Sequence, residues 1–273
     1  MSICGICCNM LNPVKGGLKD DVYVNETPVE RSGIYAEALL IGLNYKNSYP
    51  GNKLESTYND INLVNNHIRS LNYFDIITTV SDEEACLYKD DFITKTKQIL
   101  DRMSSKSSQS TKRLQLLVHY AGHGSNLADT KGLEKDGTNE TWVLSDKMIV
   151  DDELLDLFGC YKLDNRFEIY IVSDSCHSGS ILDLDQKDNI LRNKIVCISG
   201  CQDSQTSAEF SSISGKDGNG YLTMTYVNEL KARPKQNINS MSENITSALK
   251  NLRVTQIPQK SSNCENVITE WII

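Results

Sequence analysis

Two stretches of the chain change character in the same abrupt way. Phe167 to Val172 is apolar and largely β-branched, and it gives way to Ser-Asp-Ser-Cys-His-Ser-Gly-Ser, ending at Ser180. Leu114 to Val118 likewise runs through His119 and Tyr120 into Ala-Gly-His-Gly-Ser125. A continuous apolar run of strand length is what a parallel strand buried on both faces requires. Open α/β sheets carry their reacting groups in the crevice beyond the carboxyl ends of such strands. Cys176 therefore sits where a nucleophile would, and His123 occupies the tip of the matching turn. If the two strands are neighbours, both side chains share one edge of one sheet.

The rest of the chain alternates in the same sense. Ile34 to Tyr45 reads as a strand, and Ile61, Val64, Ile68 and Leu71 recur at helical spacing within a helix from Tyr58 to Leu71. Thr57 and Asp60 lie at its start, where the helix dipole favours a carboxylate. Ile76 to Val80 is a second strand, and Phe92 to Met103 forms the next amphipathic helix, followed by a Ser/Lys-rich link from Ser104 to Lys112. Strand and helix in alternation imply βαβ units and an α/β fold with a mostly parallel sheet. Ser125 to Lys147 reads as a polar, acidic loop around Trp142-Val-Leu144. Further expected elements are a short helix over Asp151 to Phe158, a strand over Lys194 to Ser199, helices over Gly220 to Arg233 and Ser240 to Arg253, and a closing strand over Val267 to Ile272. Residues 1–33 read as an arm outside the sheet. Its Cys4-Gly-Ile-Cys-Cys8 cluster is a plain tail, half of a zinc site without a second pair nearby, or a site of S-acylation. No repeat and no second core is evident, so 34–273 is expected to be one domain, divided into 34–185, a charged link over 186–194, and 195–273.

Composition narrows the class of function. The 273 residues carry a formal net charge of −8, which disfavours nucleic acid as a partner and suits basic substrates. No apolar run approaches the roughly 20 residues of a membrane helix, and Met1 to Gly17 lacks the basic start and apolar core of a secretory signal. Nine scattered cysteines, an odd number, do not form a disulfide framework. The expectation is a reduced, cytoplasmic, monomeric protein.

The chemistry follows from the two turns. A thiol attacks as thiolate, and a free cysteine at neutral pH holds little of that form. A neighbouring imidazole removes the proton and later delivers one to the leaving amine. Of the other histidines, His119 belongs to the strand, His67 to a helix, and the side chain of His177 should diverge from that of its neighbour Cys176. Cys160, Cys197 and Cys201 are expected in the core.

The segments Tyr120-Ala-Gly-His-Gly124 and Asp174-Ser-Cys-His-Ser-Gly179 resemble those of the caspase-like cysteine peptidases, and within them the metacaspases. Ile149-Val-Asp-Asp-Glu153, Ile198 to Ala208 and Gln256 to Ser262 resemble further segments of that family, in the same order. The resemblance implies a caspase-like three-layer sandwich, with helices on both faces of the sheet and a short link between large- and small-subunit-like regions. It implies a His123/Cys176 dyad with the backbone N–H groups of Cys176 and Gly124 as oxyanion donors. It also implies cleavage of protein or peptide substrates after Arg or Lys, the basic side chain being taken by Asp60 and Asp174 in a pocket shared with Thr57 and Ala121. Many members carry Ser where this chain has Ala121. Calcium activation is implied through positions matching Asp151, Asp152, Asp183 and Asn139, the last replacing a frequent Asp, with Glu140 beside it. Lys187, Arg192 and Lys194 in the charged link are candidate self-cleavage sites. The competing readings are a caspase-like peptidase of Asn or Asp specificity and an inactive scaffold.

Overall fold

The computed structural model describes residues 20–26, 33–49, 52–108, 112–129, 137–161, 166–175, 181–182, 184, 193–200, 209–210, 218–234, 236–254 and 256–264. Its centre is a seven-stranded sheet. Five strands run parallel: β2 (Ile34–Gly42), β3 (Ile76–Ser81), β4 (Arg113–Ala121), β8 (Phe167–Asp174) and β9 (Lys194–Ser199). Antiparallel strands close both edges, β1 (Asp20–Val24) on β3 and β12 (Gln259–Ser262) on β9, giving the order β1-β3-β2-β4-β8-β9-β12.

The apolar runs of β2, β4 and β8 are buried along nearly their whole length because both sheet faces are covered. Strand alternation divides their side chains between two separate cores. Leu39, Ile41, Leu116, Val118, Tyr120, Ile169 and Ile171 pack with α2 (Lys89–Ser108) and α3 (Asp151–Leu155), the latter continuing as a π-helical turn over Asp156–Cys160. Ala38, Leu40, Leu117, Tyr170, Val172 and Ile198 pack on the other side against α1 (Thr57–Ser70), α4 (Tyr221–Ala232) and α5 (Ile238–Asn251). Two helical layers around one mostly parallel sheet form the expected three-layer α/β sandwich.

Two expectations change. Residues 20–24 belong to the sheet and not to an arm: β1 pairs with β3 along all five residues, and Tyr23 packs under Arg69 4.1 Å from its guanidinium carbon. The acidic stretch after His123 is not a loop but an antiparallel ribbon of β5 (Gly124–Ala128), β6 (Thr138–Val143) and β7 (Met148–Val150). Its strands carry Asn, Glu, Thr and Ser, so no apolar alternation advertises them. They are anchored instead by Trp142, which is fully buried and stacks on Tyr120 with ring centroids 4.4 Å apart. The described edge strand at the far side is the polar β12, while the expected strand over 267–272 lies outside the described residues, as do Cys4, Cys7 and Cys8. A two-stranded ribbon of β10 (Glu209–Phe210) and β11 (Asn219–Gly220) leads into α4.

Candidate active site

The parallel register of β4 and β8 sets the site. Ala121 pairs with Asp174, the last residue of each strand, so His123 and Cys176 each follow two residues beyond a paired position. Cys176 itself lies outside the described residues. The neighbouring Ser175 is buried, its hydroxyl 2.9 Å from that of Ser173, which accepts a hydrogen bond of the same length from the Trp142 indole N–H.

His123 is held at every level. Its main-chain N–H donates to the Tyr45 hydroxyl at 2.7 Å, and its carbonyl accepts from the Tyr120 hydroxyl at 2.8 Å and from the Val143 N–H at 3.0 Å. Tyr45 and Tyr120 lie 3.0 Å apart through their hydroxyls, and Tyr45 donates onward to the Val143 carbonyl at 2.7 Å. The Tyr45 ring also packs against the imidazole, with centroids 4.6 Å apart and planes 32° from parallel. Burial pushes the Tyr45 hydroxyl pKa well up, so it stays a neutral donor and acceptor. Gly122 is required here, because a Cβ would lie 2.7 Å from both tyrosine hydroxyls.

The imidazole Nε2 lies 2.6 Å from the Asn52 carbonyl oxygen. A carbonyl can only accept, so Nε2 carries a proton, and in the neutral ring Nδ1 is then the basic nitrogen. A neutral ring in this tautomer has the form a general base needs. Tyr45 reaches this position through a left-handed backbone (φ 59°), which Asp82 stabilises by accepting from the N–H groups of Asn44 and Tyr45 at 2.8 and 2.7 Å.

The expected pocket carboxylates lie on the opposite face. Asp60, in the first turn of α1, is 2 % exposed, and Asp174 is 7 % exposed. Both turn toward the N-terminus of α4. Asp60 Oδ1 accepts from the Gly220 N–H at 2.8 Å and the Asn219 side chain at 3.0 Å, while Asp174 Oδ2 accepts from the Thr223 N–H at 3.0 Å and its hydroxyl at 2.8 Å. The helix dipole favours negative charge there, and the two carboxylates satisfy N–H groups that a helix start otherwise leaves orphaned. Gly220 makes the approach feasible: a Cβ would stand 2.2 Å from Asp174 Oδ2. Ala121 is buried beside Asp174 in register. Thr57 is also buried, but its hydroxyl is bonded to Asn44 Oδ1, which makes it a support of the segment leading to Tyr45.

The acidic positions are only partly brought together. Asp151 opens α3 and is fully buried; Asp152 is half-buried, and Asn139 on β6 is half-buried. The pair Thr141↔Val150 brings Glu140, also buried, level with Asp151, whereas Asn139 alternates to the other face of the ribbon. Asp183 lies outside the described residues, and among the described residues no three His, Cys, Asp or Glu side chains converge as a metal site.

Sequence reasoning passed over Tyr45, Tyr120, Asp82, Asn219, Gly220 and Thr223. The adjacency of Asn219-Gly220 to a helical pattern is the one signal that pointed at the pocket, since a residue without a Cβ at a helix start permits close approach of another group.

This arrangement is the caspase-like fold. A solved protein of Geobacter sulfurreducens superposes with a TM-score of 0.57 at 23% identity, covering 84% of this chain and 92% of that one. Caspase-1 from Spodoptera frugiperda gives 0.55 at 13% identity over 88% and 94% of the two chains. The sequence sharpens the class. Residues 36–185 match the metacaspase, peptidase C14 domain, and the chain belongs to that family of cysteine-type peptidases. Metacaspase-2 of Arabidopsis thaliana is 27% identical over 227 residues, 71% of this chain. The chain spans about half the length of that relative, 51%. No helix among the described residues is long and apolar enough to cross a membrane.

Proposed function

We propose that this chain is a cysteine endopeptidase that hydrolyses protein and peptide substrates after Arg or Lys. The observation that carries the reading is the pair of buried carboxylates, Asp60 and Asp174, gathered at the same sheet edge as an imidazole in the base tautomer. Nδ1 of His123 takes the proton of the Cys176 thiol, and the thiolate attacks the carbonyl carbon of the scissile bond. The oxyanion is met by the N–H groups of Gly124 and Cys176. The imidazolium then protonates the departing amine, leaving a thioester. Water, deprotonated by His123, hydrolyses the thioester to free acid and thiol. The cationic side chain before the scissile bond is placed against Asp60 and Asp174, where burial strengthens a charge-assisted contact.

Calcium belongs to this proposal as a regulator. Asp151, Asp152 and Asp183 offer oxygen ligands, which suits a hard cation of six to eight oxygens, and Glu140 lies level with Asp151, whereas Asn139 stands on the other face of the ribbon. Bound calcium would supply positive charge to carboxylates that otherwise repel one another. Asp151 and Asp152 would hold it from α3 and Asp183 from the segment that follows Cys176. Self-cleavage is proposed at Lys187 or Arg192. Lys194 is a poorer site, since it opens β9 paired with Glu168, whose carboxylate lies 3.7 Å from its ammonium. Burial raises the thiol pKa values of Cys86 and Cys197, as expected of inert core thiols, and we place the protein in the cytoplasm.

Fluorogenic peptides ending in Arg, Lys, Asp and Asn, with and without millimolar calcium, test the reading. Wild type should cleave after Arg or Lys, and Asp174→Asn should raise KM by about tenfold to a hundredfold, the scale of one lost charge-assisted contact. Preferential cleavage after Asp, or no labelling of Cys176 by an arginyl chloromethylketone, contradicts it. Full activity in excess chelator removes calcium while leaving the peptidase in place.

A further inference from the structure

Asp174 is the end of a chain of polar groups that crosses from the sheet to α4. Its Oδ2 accepts two hydrogen bonds from one residue, the N–H and the hydroxyl of Thr223. The same hydroxyl lies 2.9 Å from Nε2 of His119, which is completely buried in β4. The sole proton of that hydroxyl is given to the carboxylate, so the oxygen accepts from His119, and His119 must carry its proton on Nε2. Burial keeps the ring neutral, its pKa pushed down to about 3. The direction of donation is therefore fixed from end to end: His119 Nε2–H to Thr223 Oγ1–H to Asp174 Oδ2.

A histidine here is expensive. It pairs in register with Val172, which belongs with Leu117 to the apolar core on this face, and its Nδ1 finds no hydrogen-bond partner among the described residues. A buried polar atom left without a partner costs about 1–3 kcal/mol. Among the described residues, the ring's one polar contact is with the Thr223 hydroxyl. Ala121, paired in register with Asp174, has no hydroxyl to offer, and Gly220 leaves no side chain between α4 and the carboxylate. Thr223 sits at the third position of α4, so its contacts exist only while the start of that helix is seated on the sheet edge.

We propose that His119 and Thr223 are positioning residues for substrate recognition: they fix the orientation of Asp174 and make capture of a cationic side chain conditional on the seating of α4. This rests on the reading of Asp174 as the receiver of Arg or Lys. Neither residue touches the substrate; each acts through the carboxylate.

A double-mutant cycle on the full chain tests it, with KM and kcat read on one Arg peptide. Thr223→Val keeps the shape and removes the hydroxyl, and should raise KM about tenfold while kcat stays within about twofold. Thr223→Ser should restore KM to within about twofold of wild type. In an Asp174→Asn background Thr223→Val should add less than about threefold, because the group it acts through is already impaired. His119→Leu reads the relay from its other end and should raise KM severalfold, whereas His119→Gln, which keeps an N–H donor, should raise it less. An unchanged KM in folded Thr223→Val overturns the proposal. So does the same tenfold loss in both backgrounds. If Thr223→Val does not fold, the contrast between His119→Leu and His119→Gln decides, and equal KM values for the two overturn it. Failure of the underlying reading looks different: wild type then does not cleave after Arg or Lys, or Asp174→Asn alone leaves KM unchanged, and the relay falls with it.

Discussion

The two strand ends that build the site are held in opposite ways. At the end of β4, His123 is fixed mainly by groups from the first half of the chain: two tyrosine hydroxyls, a ring contact and the main-chain carbonyl of Asn52, on the face covered by α2 and α3. At the end of β8, Asp174 is fixed by main-chain and side-chain donors of α4, on the face covered by α1, α4 and α5, and Asp60 reaches residues 159 and 160 positions away. The base is thus held by residues of the preceding chain, 71 and 78 positions back, and the recognition carboxylates by the start of a helix that follows them, 49 positions on from Asp174 and 159 and 160 on from Asp60. Changes on the tyrosine side should act on kcat, and changes at the start of α4 on KM. That separation can be broken by measurement.

The harshest test is removal of the reacting groups. Cys176→Ala and His123→Ala should each lower turnover by about a thousandfold or more, the scale seen when members of a nucleophile–base unit are deleted. Their unfolding transitions should stay close to wild type, since His123 is only half-buried. Turnover comparable to wild type in either folded variant ends the dyad assignment.

Next in size is an acid effect. The folded pKa of His119 lies near 3, below the ordinary 6.5. Between those values the unfolded chain binds a proton that the folded chain does not. Stability from this group is therefore complete above about pH 6.5 and falls by about 1.4 kcal/mol per pH unit as the pH drops toward 3. Chemical denaturation at pH 7, 6, 5 and 4 should show His119→Gln with a shallower acid loss than wild type by about that slope. Parallel curves would mean that protonation of His119 is not what the acid form must overcome.

Much of this site was visible in the residues. The apolar runs of β4 and β8 read as buried strands, and their abrupt ends put the His123 and Cys176 turns at one edge. The spacing of Ile61, Val64, Ile68 and Leu71 showed that one face of α1 packs on the sheet, while Asp60 and Asp174 as a pair were implied only by the resemblance to the metacaspases. What stayed hidden is long-range. Nothing local marks Tyr45 as the residue that meets the His123 turn from a left-handed backbone, because that position is set by Asp82, 37 residues away. Nothing local marks Thr223 as the partner of a buried strand histidine 104 residues earlier. The ribbon β5–β7 was misread as loop because its order comes from cross-strand pairing and the burial of Trp142, not from alternation. The polar edge strand β12 was missed for the same reason.

A smaller effect separates the base side cleanly. Tyr45→Phe keeps the ring against the imidazole and removes one oxygen. The His123 N–H then loses its acceptor, at a cost of about 1–3 kcal/mol if no water replaces it. With the turn less firmly held, kcat should fall about tenfold and KM should change little. A KM effect as large as the kcat effect would show that the two strand ends are not independently held.

The gentlest change is on the recognition side. Asp60 Oδ1 accepts from two donors, the Gly220 N–H and the Asn219 side chain, so losing one leaves the other in place. Asn219→Ala removes the side-chain donor and leaves the main-chain one, and a single hydrogen bond of this kind is worth about 0.5–1.5 kcal/mol. Asp60 should then be somewhat less restrained but still anchored by the start of α4. KM for an Arg peptide should rise about threefold with kcat unchanged, the mirror image of Tyr45→Phe. Steady-state kinetics of the two single variants and their combination would read the contrast directly. The two losses should multiply, since among the described residues the hydroxyl of Tyr45 and the amide of Asn219 share no hydrogen-bond partner. A combined loss well short of the product would place Asp60 and His123 in one mechanical unit, and the division of the site between the two sheet faces would have to be given up.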